Sequence, residues 1–363
     1  MTRNTGSTGP DSASPALSLD AGVTAELAGS RPAPRPIRLQ LPELQLAGRD
    51  WPAASQADPH TDSSGANALP VLALHGWLDN AASFAHLVPL LPGAHRIVAL
   101  DLPGHGESDH RPPGAHTYFL DYVPTVFEAA DALGWDRFIL LGHSMGAGIG
   151  TLAAGVDGAH SAGGAGEDSA GSANAGRMAG LILIDGMGPL TDDGAGAPQR
   201  YANYLKTVRA EQAKAASERE AGQVEQGGGS VYATAEHAVR ARKLVGGLSD
   251  PSARRLVLRS LRARLNAAGE IDAYIWGTDP RLKWPSPLRL TEEQVRAFLS
   301  AIAAPTLMIA AGDSEFAAYK NILAPRAARI ASLTSVELSG GHHLHMERPA
   351  PVARAIVEFL KTL

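Results

Sequence analysis

The chain has 363 residues, 44% of them hydrophobic, with 32 basic and 37 acidic side chains and a formal net charge of −5. The apolar share suits a sizeable core of one large α/β unit or two domains, and the mild acidity argues against a nucleic-acid partner, which needs clustered Lys and Arg. Cysteine is absent, which excludes disulfides, thiolate nucleophiles and Cys-ligated metal, and no apolar run reaches the ~18 residues of a spanning helix.

Residues 1–36 are rich in Ser, Thr, Gly, Ala and Pro and hold no continuous apolar stretch. This predicts a disordered tail and no secretion signal, hence a cytoplasmic protein with no membrane partner. Over 37–51 apolar and polar residues alternate on either side of Pro42-Glu43, predicting two short antiparallel strands. Residues 52–69 read as a loop. Continuous apolar runs then mark buried strands at 70–74, 96–100, 137–141, 181–184, 305–310 and 335–338. Helical patterns lie between them, at 80–90, 118–133, 146–156 and 351–360. Strands alternating with helices in this way predict βαβ units and a parallel sheet covered on both faces.

Two segments interrupt the alternation. Residues 157–177 are Gly/Ala/Ser-rich without apolar pattern and read as a flexible surface insertion. Residues 190–296 show helical character at 200–218, 234–244 and 251–265 and no strand pattern, which predicts an all-helical cap. The α/β core is then 37–189 together with 297–363.

The chemistry concentrates at strand ends. Gly142-His143-Ser144-Met145-Gly146 follows one buried strand and opens a small-residue helix, the strand–turn–helix context of a nucleophile elbow. Ser144 is the candidate nucleophile. The backbone N–H of Met145, at the helix start, points at a developing oxyanion, and that of Trp77 in His75-Gly76-Trp77 is the second donor. The Trp77 ring reads as packing against the cap or pocket. His105, in the loop 101–108, reads as a loop-stabilising residue. The better base lies in Gly340-Gly341-His342-His343-Leu344-His345, between the last strand and the last helix. His342, directly after the two glycines, is the choice, with His343 and His345 around it. Three histidines in four positions lack the paired helical spacing of metalloprotease sites, so no metal is expected. Candidate orienting acids stand at two strand ends: Asp313 and Glu315 after the fifth buried strand, and Asp185 after the fourth. Tyr274, Trp276 and Trp284 predict a partly apolar, covered pocket.

These motifs, with the strand 305–310 and Gly341–Pro349, resemble those of the α/β-hydrolase superfamily over residues 70–363, the insertions excepted. Within it, Leu74-His75-Gly76-Trp77-Leu78-Asp79-Asn80, Asp279-Pro280-Arg281-Leu282, Ser286-Pro287-Leu288-Arg289-Leu290 and Gly341-His342-His343-Leu344-His345 are similar to the serine hydrolase-like group of animals and bacteria. The resemblance implies a mostly parallel eight-stranded sheet with helices on both faces and an inserted helical cap. It implies a serine hydrolase that needs no cofactor, acting on a small-molecule substrate. The family's usual acid position follows the fifth strand and reads Gly312-Asp313-Ser314-Glu315 here. The acid therefore ranks as Asp313, then Asp185, then Glu315. The expected reaction is hydrolysis of a small or medium carboxylic ester through an acyl-enzyme. The alternatives are C–C, amide, lactone or thioester cleavage on the same fold, or a non-catalytic ligand-binding member. The expected assembly is a monomer or homodimer.

Overall fold

The structure, a computed structural model, describes residues 31–54, 68–112, 114–115, 118–163, 176–220, 230–266, 268–314 and 317–363. In chain order the elements begin with strands β1 (Arg35–Gln40), β2 (Gln45–Trp51) and β3 (Val71–Leu74). Two 3-10 turns, Ala81–Phe84 and Val88–Leu90, lead to β4 (Ile97–Leu100) and helix α1 (Tyr122–Ala132). Strand β5 (Phe138–His143), helix α2 (Met145–Gly163) and strand β6 (Met178–Ile184) follow. Next come α3 (Ala197–Glu220), β7 (Val231–Tyr232), α4 (Ala235–Leu244), α5 (Asp250–Ser260), β8 (Leu261–Leu265), β9 (Ile271–Trp276) and α6 (Glu292–Ala301). The chain closes with β10 (Thr306–Ala311), α7 (Ala317–Ala327), β11 (Leu333–Leu338), α8 (Leu344–Glu347) and α9 (Pro349–Leu360).

Eight strands form one sheet in the order β1-β2-β4-β3-β5-β6-β10-β11. The pairs β1–β2 and β2–β4 are antiparallel and the remaining pairs parallel. The central strands are apolar at nearly every position because both faces are covered. Leu72, Val98, Leu140 and Leu183 point to one face, against Val126 of α1, Leu152 of α2 and Leu299 of α6. Val71, Ile97, Ile139 and Ile182 point to the other, against Phe84 and against Val352 and Ile356 of α9. The period-2 alternation of the strands thus divides one continuous apolar sequence between two cores. Among the described residues no helix is long and apolar enough to cross a membrane.

Three expectations change. The expected tail spans 1–36; residues 1–30 lie outside the described residues, but β1 already begins at Arg35, paired with Asp50 of β2. The expected insertion spans 157–177; α2 continues to Gly163, and residues 164–175 lie outside the described residues. Asp157 explains the helical start: its carboxylate accepts from the N–H of Arg177 (3.0 Å) and Met178 (2.9 Å), tying the helix to the foot of β6. The third change concerns 190–296, which is not all helical. Strands β7, β9 and β8 form a small antiparallel sheet. The helix expected over 251–265 ends at Ser260, and Leu261-Arg262-Ala263-Arg264-Leu265 alternates with period 2 and pairs with the β-branched and aromatic run of β9. An Arg264–Asp272 ion pair (2.8 Å) joins the two strands, and Asn266 Oδ1 accepts from the N–H of Ala268 and Glu270 in the turn.

The segment between β6 and β10 is bound to the sheet's carboxyl edge by charge. Two buried carboxylates stand there. Asp79 meets Arg242 of α4 (2.6 Å), and Asp101 meets Arg259 of α5 (2.8 Å). Asp101 also accepts from the N–H of Ala81 and Glu107, so it folds its own loop. Asn80 adds a third tie, donating to the carbonyl of Leu256 and the hydroxyl of Ser260.

Removing one partner of a buried pair leaves the other charge unsolvated, whereas an exposed pair contributes little. Arg259→Ala is therefore expected to cost about 3–5 kcal/mol of unfolding free energy. Arg254→Ala, which breaks a solvent-exposed pair with Glu236, is expected to cost far less. Urea denaturation of both variants checks the contrast; equal losses would refute it.

Candidate active site

Three strand ends meet at this site. After β5 the chain turns at Ser144 with φ of +52°, a left-handed conformation that costs a non-glycine residue energy and is held by its surroundings. The Ser144 N–H donates to the carbonyl of Ile184 (2.9 Å), and the Gly146 N–H to that of His75 (3.1 Å). The turn admits no side chain on either flank. A Cβ at Gly146 would lie 2.1 Å from the Leu74 carbonyl oxygen, and one at Gly142 would lie 2.4 Å from that of Gly146. Only glycine lets the helix start this close to both strands.

His342 sits in the loop between β11 and α8, and its Nε2 lies 2.8 Å from Ser144 Oγ. Its Nδ1–H donates to Asp185 Oδ2 at 2.6 Å. With the proton on Nδ1, Nε2 is the acceptor for the serine hydroxyl. Asp185 directly follows β6, also with positive φ (+46°). Its Oδ1 accepts from the Ala311 N–H (3.0 Å) and its Oδ2 from the Ser314 hydroxyl (2.7 Å). Burial pushes this carboxyl up, but the hydrogen bonds from His342, Ser314 and Ala311 outweigh it and hold the group below its ordinary value.

The carboxylate at the imidazole is thus the one ranked second. Asp313, ranked first, is turned to the backbone: its Oδ2 accepts from the Gly340 N–H at 2.9 Å and braces the start of the histidine loop. Glu315 lies outside the described residues. The difference follows from register. β6 is the immediate neighbour of β5, with His143 opposite Ile184, so residue 185 emerges beside residue 144. Asp313 lies just beyond the end of β10, one strand further away. Ser314 had not been singled out, although a hydroxyl beside a candidate carboxylate was a usable signal.

Trp77 and Met145 both face the cavity into which Ser144 opens. Neither backbone N–H has an acceptor among the described residues, which leaves two donors at the helix start and the loop tip. The Trp77 ring crosses to the inserted segment, its Nε1–H donating to the Leu282 carbonyl (3.1 Å). The cavity measures about 1430 Å³. Of the three aromatics expected in it, Trp284 lines the wall, joined by Tyr118, Phe119 and Tyr204. Trp276 instead packs with Val239 and Leu256 inside the inserted segment, and Tyr274 lies on β9 and does not line the cavity.

Histidines fill the space behind the site. His75 Nδ1–H donates to the Gly76 carbonyl while Nε2 accepts from Leu102 N–H, fixing the loop that carries Trp77. His105 is buried in the loop 101–108, its Nδ1–H donating to the Pro103 carbonyl (3.1 Å), and burial pushes it down to about 3. His143 donates from Nε2 to the His342 carbonyl (2.9 Å) and packs 4.0 Å from the ring of His345. His345 Nε2 meets the Ser83 hydroxyl at 2.6 Å. Asp79 faces His343 (3.4 Å) and His143 (3.8 Å). Burial raises the Asp79 carboxyl, and His343 and Arg242 more than offset this and hold it well below the ordinary range. Among the described residues no three His, Asp or Glu side chains are disposed to hold a metal ion.

A family model for the alpha/beta hydrolase fold matches residues 70–217. A serine hydrolase-like protein of Danio rerio is 29% identical over 334 residues, 90% of this chain and 88% of that protein. A probable serine hydrolase of Drosophila melanogaster is 29% identical over 341 residues, 88% of this chain and 90% of that protein. A crystal structure of a hypothetical protein from Pseudomonas aeruginosa superposes with a TM-score of 0.72 at 35% identity, over 90% of this chain and 99% of its own. A thioesterase domain from the curacin biosynthetic pathway, at 22% identity and a TM-score of 0.66 over 90% of this chain and all of that one, shares the fold.

Burial lowers the values of His75, His105, His143 and His345 in the folded chain below the ~6.5 of an unfolded histidine. Their contribution to stability is fully present above pH ~6.5 and is lost as the pH falls, because only the unfolded chain takes up the protons. Each can remove up to about 1.4 kcal/mol per pH unit. Urea unfolding from pH 7.5 to 5 should show stability falling steeply below pH ~6.5; a flat profile would contradict the buried neutral rings.

Proposed function

This chain belongs to the α/β-hydrolase superfamily, and on that premise we propose that it is a serine hydrolase cleaving a carboxylic ester through an acyl-enzyme. The observation that carries the reading is the line of hydrogen bonds from Asp185 through His342 to Ser144, 2.6 and 2.8 Å long, at the floor of a largely apolar cavity. In this reading Ser144 is the nucleophile, His342 the base and Asp185 the acid that fixes the tautomer. The segment between β6 and β10 serves as the cap.

Ser144 Oγ attacks the ester carbonyl carbon as its proton passes to His342 Nε2. The carbonyl oxygen becomes an oxyanion held by the N–H groups of Trp77 and Met145; one such donor is typically worth about 3 kcal/mol in the transition state. The tetrahedral intermediate collapses, the carbon–alkoxy bond breaks, and the alcohol leaves with the proton from His342. Water then attacks the acyl carbon, giving one proton to His342, and the second collapse returns that proton to Ser144 Oγ and releases the acid. Throughout, Asp185 stays ionised beside the imidazolium, as its lowered value requires.

The test is 4-nitrophenyl butyrate turnover together with fluorophosphonate labelling. Ser144→Ala should abolish both. Asp185→Asn should lower kcat about 10³–10⁴-fold, and Asp313→Asn less than about tenfold. A wild type that neither labels nor turns over any ester would sink the reading. A larger loss in Asp313→Asn than in Asp185→Asn would move the acid.

A further inference from the structure

We propose that the cavity takes an ester with a long unbranched apolar limb, about a dozen carbons, lying between α7 and the sheet. The proposal rests on the serine-hydrolase reading above and adds the substrate class.

Size comes first. At about 1430 Å³ the cavity exceeds the ~300–1,000 Å³ that enclose a drug-sized ligand, and a short ester would leave most of it to water. Its shape then gives direction. From Ser144 it passes the end of β6 at Asp185 and reaches Met308 and Ala310 on β10. It continues to their register partners Ser335 and Glu337 on the edge strand β11. Leu323 and Ala327 of α7 form the roof. A helix packed on a sheet normally buries large side chains on both sides of the contact, as Leu152 of α2 and Leu183 of β6 do in the same core. Here the residues that line the cavity between the two elements are small: Ala310, Ala327 and Ser335. The result is a slot that begins at the serine and opens to solvent at the sheet edge, where Ser335 and Glu337 are exposed.

The length follows from the sheet. β11 is three strands from β5, roughly 14 Å at ~4.8 Å per strand. An extended chain advances ~3.5 Å for every three backbone bonds, so roughly a dozen bonds span the slot. Trp77, Phe119 and Trp284 also line the cavity, which leaves apolar wall for the other limb of the ester.

Two chain-length series test this: 4-nitrophenyl esters from acetate to dodecanoate, and acetates of alcohols from ethanol to dodecanol. In one of the two, kcat/KM should rise at least about 100-fold from the shortest to the longest member, since each buried methylene favours binding several-fold. Ala310→Trp, which blocks the slot midway, should lower the long-to-short ratio in that series at least tenfold. Ser335→Trp, at the exposed rim, should lower it too, and keeps the test open if the first variant does not fold. A ratio near one in both series, with fluorophosphonate labelling intact, would overturn the slot and leave the serine reading standing. So would a steep rise that both variants preserve. Loss of labelling together with all turnover would instead overturn the reading beneath it.

Discussion

The contact on which the rest of the site depends is the approach of Gly146 to the carbonyl of Leu74. The first turn of α2 rides directly on the end of β3, with its N–H bonded to His75. That closeness forces Ser144 into a left-handed conformation and leaves its hydroxyl at the sheet's carboxyl edge. Met145 and Trp77, the latter three residues beyond Leu74, line the same cavity beside this contact. The proposed nucleophile and the proposed oxyanion donors therefore depend on one packing contact. His342 is supported by the same group of residues, since His143, the residue just before the nucleophile, donates to its backbone carbonyl.

Around this contact the polar groups are buried against one another, and His143 Nδ1, His343 Nδ1 and His345 Nδ1 find no hydrogen-bond partner among the described residues. His75, His143 and His345 act as neutral hydrogen-bonding pieces that hold loops in place, and Asp79 and Asp101 act as charges that require cations from elsewhere. A core this polar is specific at a cost in tolerance: an unpaired member is expensive. The apolar clusters on the two faces of the sheet supply the stability that lets the edge carry these groups.

Much of this was legible in the residues. The alternation of apolar strands and helices indicated the sheet, and the Gly142–Gly146 and Gly341–Pro349 motifs pointed to Ser144 and His342, because short local patterns bound by steric need survive in sequence. The acid was less legible. Asp185 and Asp313 both end a strand, and only the sheet order, a long-range property, puts one beside the imidazole and the other a strand away. The sheet in the inserted segment was hidden for a related reason. Residues 261–265 alternate too briefly to outweigh the helix that precedes them, and their pairing with β9 is formed by contacts outside the window. The cavity's slot had no local signal at all, since an alanine reads alike whether its neighbour is close or absent.

The two arginine ties also set an order of assembly. Asp79 and Asp101 lie early in the chain, whereas Arg242 and Arg259 follow more than 150 residues later. On a ribosome the strands through β6 are complete before either cation exists, so the nascent half-sheet carries two carboxylates that cannot be dehydrated without a partner. Local N–H groups already satisfy part of Asp101, and the arginines complete the burial of both carboxylates when the later segment arrives. A chain truncated before residue 242 therefore has the Gly142–Gly146 motif but neither of the cations that neutralise the two carboxylates beside it.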